Sequence, residues 1–266
     1  MDVKDWLQDK GEAGILSFER QEAMQILFNL DARMAEGRIL DAGLMPERYA
    51  RNPWNAADQK RLHGSTLAVV GCGALGSALV EQFLRLGAGT LKVMDPDVFS
   101  PSNLNRQIFL TREDLGRSKV AVAAQRAQAV NPALRFVPFQ AFFGKDSAET
   151  FLEDADLVLD ALDNIPDRLF LEKICGEKDL PLIHGAVSGW AGQVGVVLPG
   201  SGLLDGIYKS SGGGGGGAAG NPVFGVFATA ALQAALACRT LLGKEGGSGE
   251  RHWFLDFLGP EWVAMD

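Results

Sequence analysis

The chain has 266 residues, enough for one large α/β domain or two smaller ones, and its 47% apolar content supplies a substantial core. A net charge of −8 argues against a general nucleic-acid binder, because phosphate backbones call for a basic face. No uninterrupted apolar run approaches the roughly 18 residues of a membrane span. Only three cysteines occur, with no C-x-x-C pair, which argues against a disulfide framework or a cysteine zinc site.

The opening MDVKDWLQDKGEAG lacks the apolar centre of a signal peptide, so the expected setting is a reducing cytoplasm. Residues 1–45 read as a helical, amphipathic extension, with Phe18, Ala23, Met24, Leu27 and Leu30 near helical spacing. Pro46 and Pro53 punctuate the chain before the main domain, which is expected to fill 46–266. Leu67–Val70 is a short apolar strand, and Ser77–Leu86 is a helix. A second apolar strand ends in Asp95. Ser118–Val130 is an Ala-rich helix stopped by Asn131-Pro132, and Leu134–Val137 is a strand. Ser147–Leu152 reads as a helix. Asp156–Ala161 is the near-continuous apolar strand expected inside a parallel sheet. Asp167–Cys175 is helical, and strands follow at Pro181–His184 and Gly192–Leu198. Residues 199–222, with an unbroken glycine run from Gly212 to Gly217, are expected to form a flexible crossing loop. Phe224–Leu242 is a helix closed by Gly243, and two short strands end the chain. This alternation predicts a Rossmann-like, doubly wound α/β fold: a mainly parallel sheet with helices on both faces.

The segment from Leu67 to Asp95 carries the chemistry. A strand runs directly into Gly71-Cys72-Gly73-Ala74-Leu75-Gly76 and then into a helix, which is the nucleotide-binding βαβ layout. The glycines permit a tight turn and bring backbone N–H groups to phosphate, and the helix N-terminus adds partial positive charge. Asp95 follows Gly76 by 19 residues, close to the roughly 20 of a ribose-binding acid. Asp97 competes for that role. Such a loop alone suits NAD as well as ATP. Arg106, Lys119 and Arg51, three cations in an acidic protein, favour a triphosphate, whose transfer needs positive charge around phosphorus. Asp163 ends the DLVLDALDN strand with Asn164 and is the candidate Mg²⁺ carboxylate. Asp160, inside that strand, is the rival, but a buried-strand acid usually pairs with a neighbour.

The ordered motifs RYAR (48–51), VVGCGALGS (69–77), SNLNRQ (102–107), GRSKV (116–120), DLVLDALDN (156–164) and PLIHGAVSGWAGQV (181–194) resemble the ThiF/MoeB/HesA family, relatives of the adenylation domain of ubiquitin-activating enzymes. The resemblance covers about residues 46–266. It implies that the Gly71–Gly76 loop (Gly71, Gly73, Ala74, Gly76) and Asp95 hold the phosphates and ribose of ATP; Asp97, the competitor of Asp95, and Asn164 are further candidates for nucleotide binding. It implies that Asn103, Arg106, Gln107 and Lys119 contact phosphate, and that Asp163 carries Mg²⁺. Arg51 would reach the ATP site of the partner subunit of a homodimer. The substrate would be a small ubiquitin-like sulfur carrier whose terminal Gly-Gly carboxylate attacks the α-phosphate, releasing pyrophosphate. The two C-x-x-C pairs that hold zinc in many members are absent here, so no zinc is expected. Residues 199–222 hold no cysteine for a thioester or persulfide step. Cys72 reads as loop filler, Cys175 and Cys238 as core residues, and His184 as a strand-end residue. Two alternatives stand beside adenylation. One is a non-catalytic relative that only binds a carrier. The other is a NAD-dependent oxidoreductase, for which no convincing catalytic His, Lys or Tyr is found. No membrane or nucleic-acid partner is expected.

Overall fold

A computed structural model describes residues 2–8, 11–210, 220–244, 251–259 and 261–265. The chain opens with α1 (Val3–Leu7), α2 (Phe18–Phe28) and α3 (Ala32–Asp41), with two-residue strands β1 (Ile15–Leu16) and β2 (Met45–Pro46) paired in parallel. Local chemistry starts two of these helices. The Ser17 hydroxyl accepts from the Arg20 N–H, and the Asp31 carboxylate accepts from the Met34 N–H, each meeting a donor that the first helical turn leaves open. Leu7, Leu16, Met24, Ala35 and Ile39 form a small core under these helices. Helix α4 (Ala56–Gly64) then leads into the sheet.

That sheet has eight strands in the order β10-β9-β8-β7-β6-β3-β4-β5. Five are parallel: β3 (Thr66–Val70), β4 (Thr90–Met94), β5 (Arg135–Phe139), β6 (Leu157–Asp160) and β7 (Leu182–Ser188). Strands β8 (Ala191–Val197), β9 (Arg251–Asp256) and β10 (Glu261–Met265) continue the sheet antiparallel. The connecting helices are α5 (Ala74–Leu86), α6 (Lys119–Val130), α7 (Lys145–Leu152), α8 (Ile165–Glu177), α9 (Leu203–Ser210) and α10 (Val223–Leu242). The strand side chains alternate between two cores. Leu67 and Val69 of β3 pack with α5, α6 and α10, while Ala68 and Val70 pack with α7, α8 and α9. Both faces are buried, which explains why these strands read as continuous apolar runs rather than alternating ones.

One expectation about the connections changes. Residues 203–210, expected within a flexible loop, form α9. Leu203, Leu204, Ile207 and Tyr208 lie on one stripe that packs beside α8, and Leu204 is fully buried. The Glu172 carboxylate of α8 accepts the Leu204 and Asp205 N–H groups at 2.8 and 3.2 Å and so caps α9. Residues 211–219, which hold the glycine run, lie outside the described residues. Helix α10 has the length and apolar composition of a membrane span, although its Gly, Thr and Gln residues interrupt the apolar run. Of its most apolar 18-residue stretch 56% is buried, and the helix packs against α5, β7 and β8.

The N-terminal helices are tied to the sheet domain by polar contacts as well as packing. Arg33 donates to the Gly89 carbonyl. The Tyr49 hydroxyl donates to the buried Glu36 carboxylate at 3.0 Å, and the Asn131 amide donates to Tyr49 and to the Leu84 carbonyl at 3.0 and 2.9 Å. Burial pushes the Glu36 carboxyl above its ordinary range. The Tyr49 ring lies against Gly87, which takes a left-handed conformation (φ +84°) after α5, and a Cβ there would come within 2.5 Å of the ring. This contact places residues 47–52 at the C-terminal end of α5.

Candidate functional site

The register of the parallel strands sets one rim. Val70 of β3 is level with Met94 of β4 and with Asp160 of β6, so Gly71, Asp95 and Ala161 emerge side by side. The chain proceeds from β3 to β4 on one side and returns to β6 on the other. The crevice above β3 and β6 is therefore the topological switch point where α/β sheets bind ligands. Gly71 bridges it. Its φ of +99° suits only glycine, and a Cβ there would sit 2.6 Å from the Ala161 carbonyl oxygen.

The glycine motif and the helix overlap more than the sequence reading has it, with α5 beginning at Ala74 rather than Ser77. Gly76 thus lies inside the first turn. A Cβ at Gly76 would stand 2.0 Å from the Gly71 carbonyl oxygen, so the turn closes only around a residue without a side chain. Gly73 is the N-cap and no side chain caps the helix. The first-turn N–H groups and the helix dipole are left facing the crevice, which is an anion site by construction.

Asp95 holds this loop from beneath. Its carboxylate is buried and accepts the Cys72 N–H at 2.7 Å and the Asp97 N–H at 2.9 Å. Lys119, buried at the start of α6, donates to the Asp97 carboxylate at 2.7 Å and lies 3.5 Å from that of Asp95. Asp97 itself is exposed. Gln107 is buried, with its amide nitrogen 3.8 Å from where a Cβ on Gly73 would stand, and its amide oxygen has no hydrogen-bond partner. Asn103 caps its own 3-10 turn through the Ser100 N–H, and half-buried Arg106 donates to the Ser102 carbonyl at 2.7 Å. Asp163 is exposed two residues beyond Ala161. Asn164 caps α8, accepting the Asp167 N–H at 3.0 Å.

The loop residues Gly71–Gly76, Asp95, Asp97, Lys119 and Gln107 therefore meet directly, and the Asp163 turn faces them across Gly71. Arg51 does not join them. Its segment sits at the far end of α5, a helix of 13 residues and so about 20 Å from the glycine loop. The three cysteines are buried and unlinked. Burial raises the Cys72 thiol and pushes Cys175 and Cys238 up to about 12, so all three are inert packing groups. Among the described residues, no three His, Cys, Asp or Glu side chains converge as a metal cage.

The ThiF family model matches residues 47–264. The chain belongs to the ThiF family. Over 215 residues it is 32% identical to the sulfur carrier protein ThiS adenylyltransferase of Escherichia coli, covering 78% of this chain and 84% of that protein. Over 141 residues it is 36% identical to the SAMP-activating enzyme E1 of Haloferax volcanii, covering 53% of this chain and 52% of that protein. The chain thus spans about half the length of the Haloferax relative. In fold it is similar to the crystal structure of E. coli MccB with ATP, with a TM-score of 0.71 at 17% identity over 92% of this chain and 82% of that one.

Within this ThiF-family domain lies a buried polar ring that the sequence reading does not assemble. The Asp160 carboxylate accepts the Leu162 N–H at 2.9 Å and the His184 Nδ1–H at 2.7 Å. His184 Nε2 is then the acceptor for the Tyr208 hydroxyl at 3.3 Å, with the Gln193 amide 3.2 Å away. Arg168 donates to the Tyr208 oxygen at 2.7 Å and to the Leu162 carbonyl at 2.5 Å, closing the ring. The signal was available: Asp160 and His184 are polar residues in otherwise apolar strands, and the β6–β7 register makes them neighbours.

Burial holds the His184 imidazole below its ordinary range, hence neutral near pH 7. The unfolded chain then binds more protons than the folded one as pH falls, so folding stability drops below about pH 6.5. Urea midpoints at pH 7.5 and 5.5 should show this loss, and His184→Gln should shrink the gap between them. An unchanged gap in the variant would remove His184 from the cause.

Proposed function

We propose that this chain uses ATP to adenylate the C-terminal carboxylate of a small ubiquitin-like sulfur-carrier protein, acting as a homodimer. The observation that carries the reading is the uncapped α5 N-terminus at the switch point, closed by Gly71 and Gly76 and flanked by Lys119 and the Asp163 turn. The names of the ThiS adenylyltransferase and the SAMP-activating enzyme supply the substrate class.

In this reading the α5 N–H groups hold phosphate oxygens, and the Gln107 amide nitrogen, beside Gly73, donates to them. Asp97, with its exposed carboxylate, is the acid open to the ribose hydroxyls, while Asp95 keeps the loop in shape. Lys119 trades part of its contact with Asp97 for phosphate, and Arg106 swings from its own loop to do the same. These cations neutralise the charge that develops when the carrier's carboxylate attacks the α-phosphate and pyrophosphate leaves. Asp163 would hold Mg²⁺, since a single exposed carboxylate together with substrate phosphates is a common Mg²⁺ donor set. When bound, that ion supplies further charge neutralisation at the phosphates. No side-chain nucleophile is required; alignment and electrostatics supply the rate.

The test is carrier-dependent exchange of radiolabelled pyrophosphate into ATP. We expect exchange only with a Gly-Gly-ending carrier from the same genome, and none when that carrier lacks its last glycine. Absence of exchange with every such carrier would overturn the reading.

A further inference from the structure

The polar ring beneath the rim does more than fill the core. It holds both backbone polar groups of Leu162, the residue immediately before Asp163. The Leu162 N–H is bound by Asp160 and the Leu162 carbonyl by Arg168, and these two are joined through His184 and Tyr208. The Asp163 side chain has little else to fix it, being exposed, with the Asn164 amide 3.4 Å away. The direction of that carboxylate is therefore set by the peptide behind it. One member of the ring, Tyr208, comes from α9, outside the parallel sheet and its βα loops. Its hydroxyl joins Arg168 to His184 on the side away from Asp160, whose carboxylate lies 2.7 Å from His184 Nδ1 and 3.7 Å from Arg168 Nε.

We propose that Tyr208 is a positioning residue, which acts through Arg168 and the His184–Asp160 pair to fix the turn that presents Asp163. The proposal rests on the role given to Asp163 above. It makes α9, the helix that follows β8, part of the adenylation apparatus through Tyr208. Removing the Tyr208 oxygen leaves the ring of the side chain packed in place. Arg168 and His184 each lose a partner, and the guanidinium that holds the Leu162 carbonyl loses one of the groups that orient it.

The experiment compares Tyr208→Phe with the unaltered protein on two readouts. In carrier-dependent ATP–pyrophosphate exchange, kcat should fall about tenfold, the scale of one buried hydrogen bond, with KM for ATP changed less than about twofold. In the Asp163→Ala background the same change should cost nothing further, which a merely structural tyrosine would not reproduce. In amide hydrogen exchange, the peptide spanning residues 161–164 should exchange faster in Tyr208→Phe while the glycine loop at 71–76 keeps its protection. Unchanged kcat, an unchanged 161–164 peptide, or full additivity with Asp163→Ala each overturns the proposal. Should the unaltered protein show no pyrophosphate exchange with any carrier, the adenylation reading fails by itself, and the hydrogen-exchange arm still decides whether Tyr208 holds the turn. If Tyr208→Phe does not fold, Arg168→Lys, which keeps the charge and loses the two-pronged donor, carries the same measurements.

Discussion

Asp163→Ala is expected to lower carrier-dependent ATP–pyrophosphate exchange by about a hundredfold or more while the protein melts where the unaltered chain does. The loss is the scale of removing one group that stabilises transition-state charge. The intact fold follows from the surroundings of the side chain. Asp163 is exposed, and among the described residues it caps no helix and pairs with no cation; substitutions at such sites stay within about 0.5 kcal/mol. Asp160, three residues earlier, gives the opposite outcome. It is fully buried and accepts from Leu162 and His184, with Arg168 3.7 Å away. Removing it strands a buried guanidinium and an imidazole, at a cost of about 3–5 kcal/mol. The two aspartates are thus separable by experiment: one variant folds and is inactive, the other fails to fold well. Near-normal exchange in Asp163→Ala would contradict its role. An equally large melting shift in both would mean that the turn, not the carboxylate, is what matters.

The sequence reveals different parts of this molecule to different degrees, for physical reasons. Strands β3, β4 and β6 are legible because burial on both faces demands apolar runs, and the alternation with helices then dictates a parallel sheet. The start of α5 is misread by three residues. Glycine is a poor helix former, so Gly76 looks like loop; only the 2.0 Å approach of a Cβ to the Gly71 oxygen shows why a helix must carry glycine there. Helix α9 is hidden by the glycine- and serine-rich stretch that follows it. The spacing of Leu203, Leu204, Ile207 and Tyr208 is the signal that could have revealed it. The Asp160–His184–Tyr208 ring is illegible before the strand order is known, since its members lie up to 48 residues apart and meet only through the β6–β7 register and the docking of α9. Position along the chain is equally silent about Arg51. Nothing in RYAR tells that Tyr49 anchors on Gly87 and turns the motif away from its own glycine loop.

That last placement leads to the second large effect. Arg51 lies at the end of α5 remote from the phosphate-binding turn, about 20 Å along the helix. It is exposed, so packing in the core does not account for its presence. If Arg51 serves phosphate at all, it serves the site of a second copy, and the expected experiment is complementation. Arg51→Ala alone should lose most exchange activity, as Asp163→Ala does. Unfolded together, refolded at equal concentration and allowed to pair at random, the two variants form mixed dimers in half of the population. In each mixed dimer one site combines an intact Asp163 with an intact Arg51 from across the interface, so the mixture should recover about a quarter of the unaltered activity under two-fold symmetry. An arginine acting within its own chain gives a different result, because every subunit then lacks one of the two residues and mixing restores nothing. The amount recovered separates the two cases without a structure of the dimer. A mixture as inactive as its components, with mixed dimers demonstrated by tagged co-purification, would end the case for Arg51 acting across the interface.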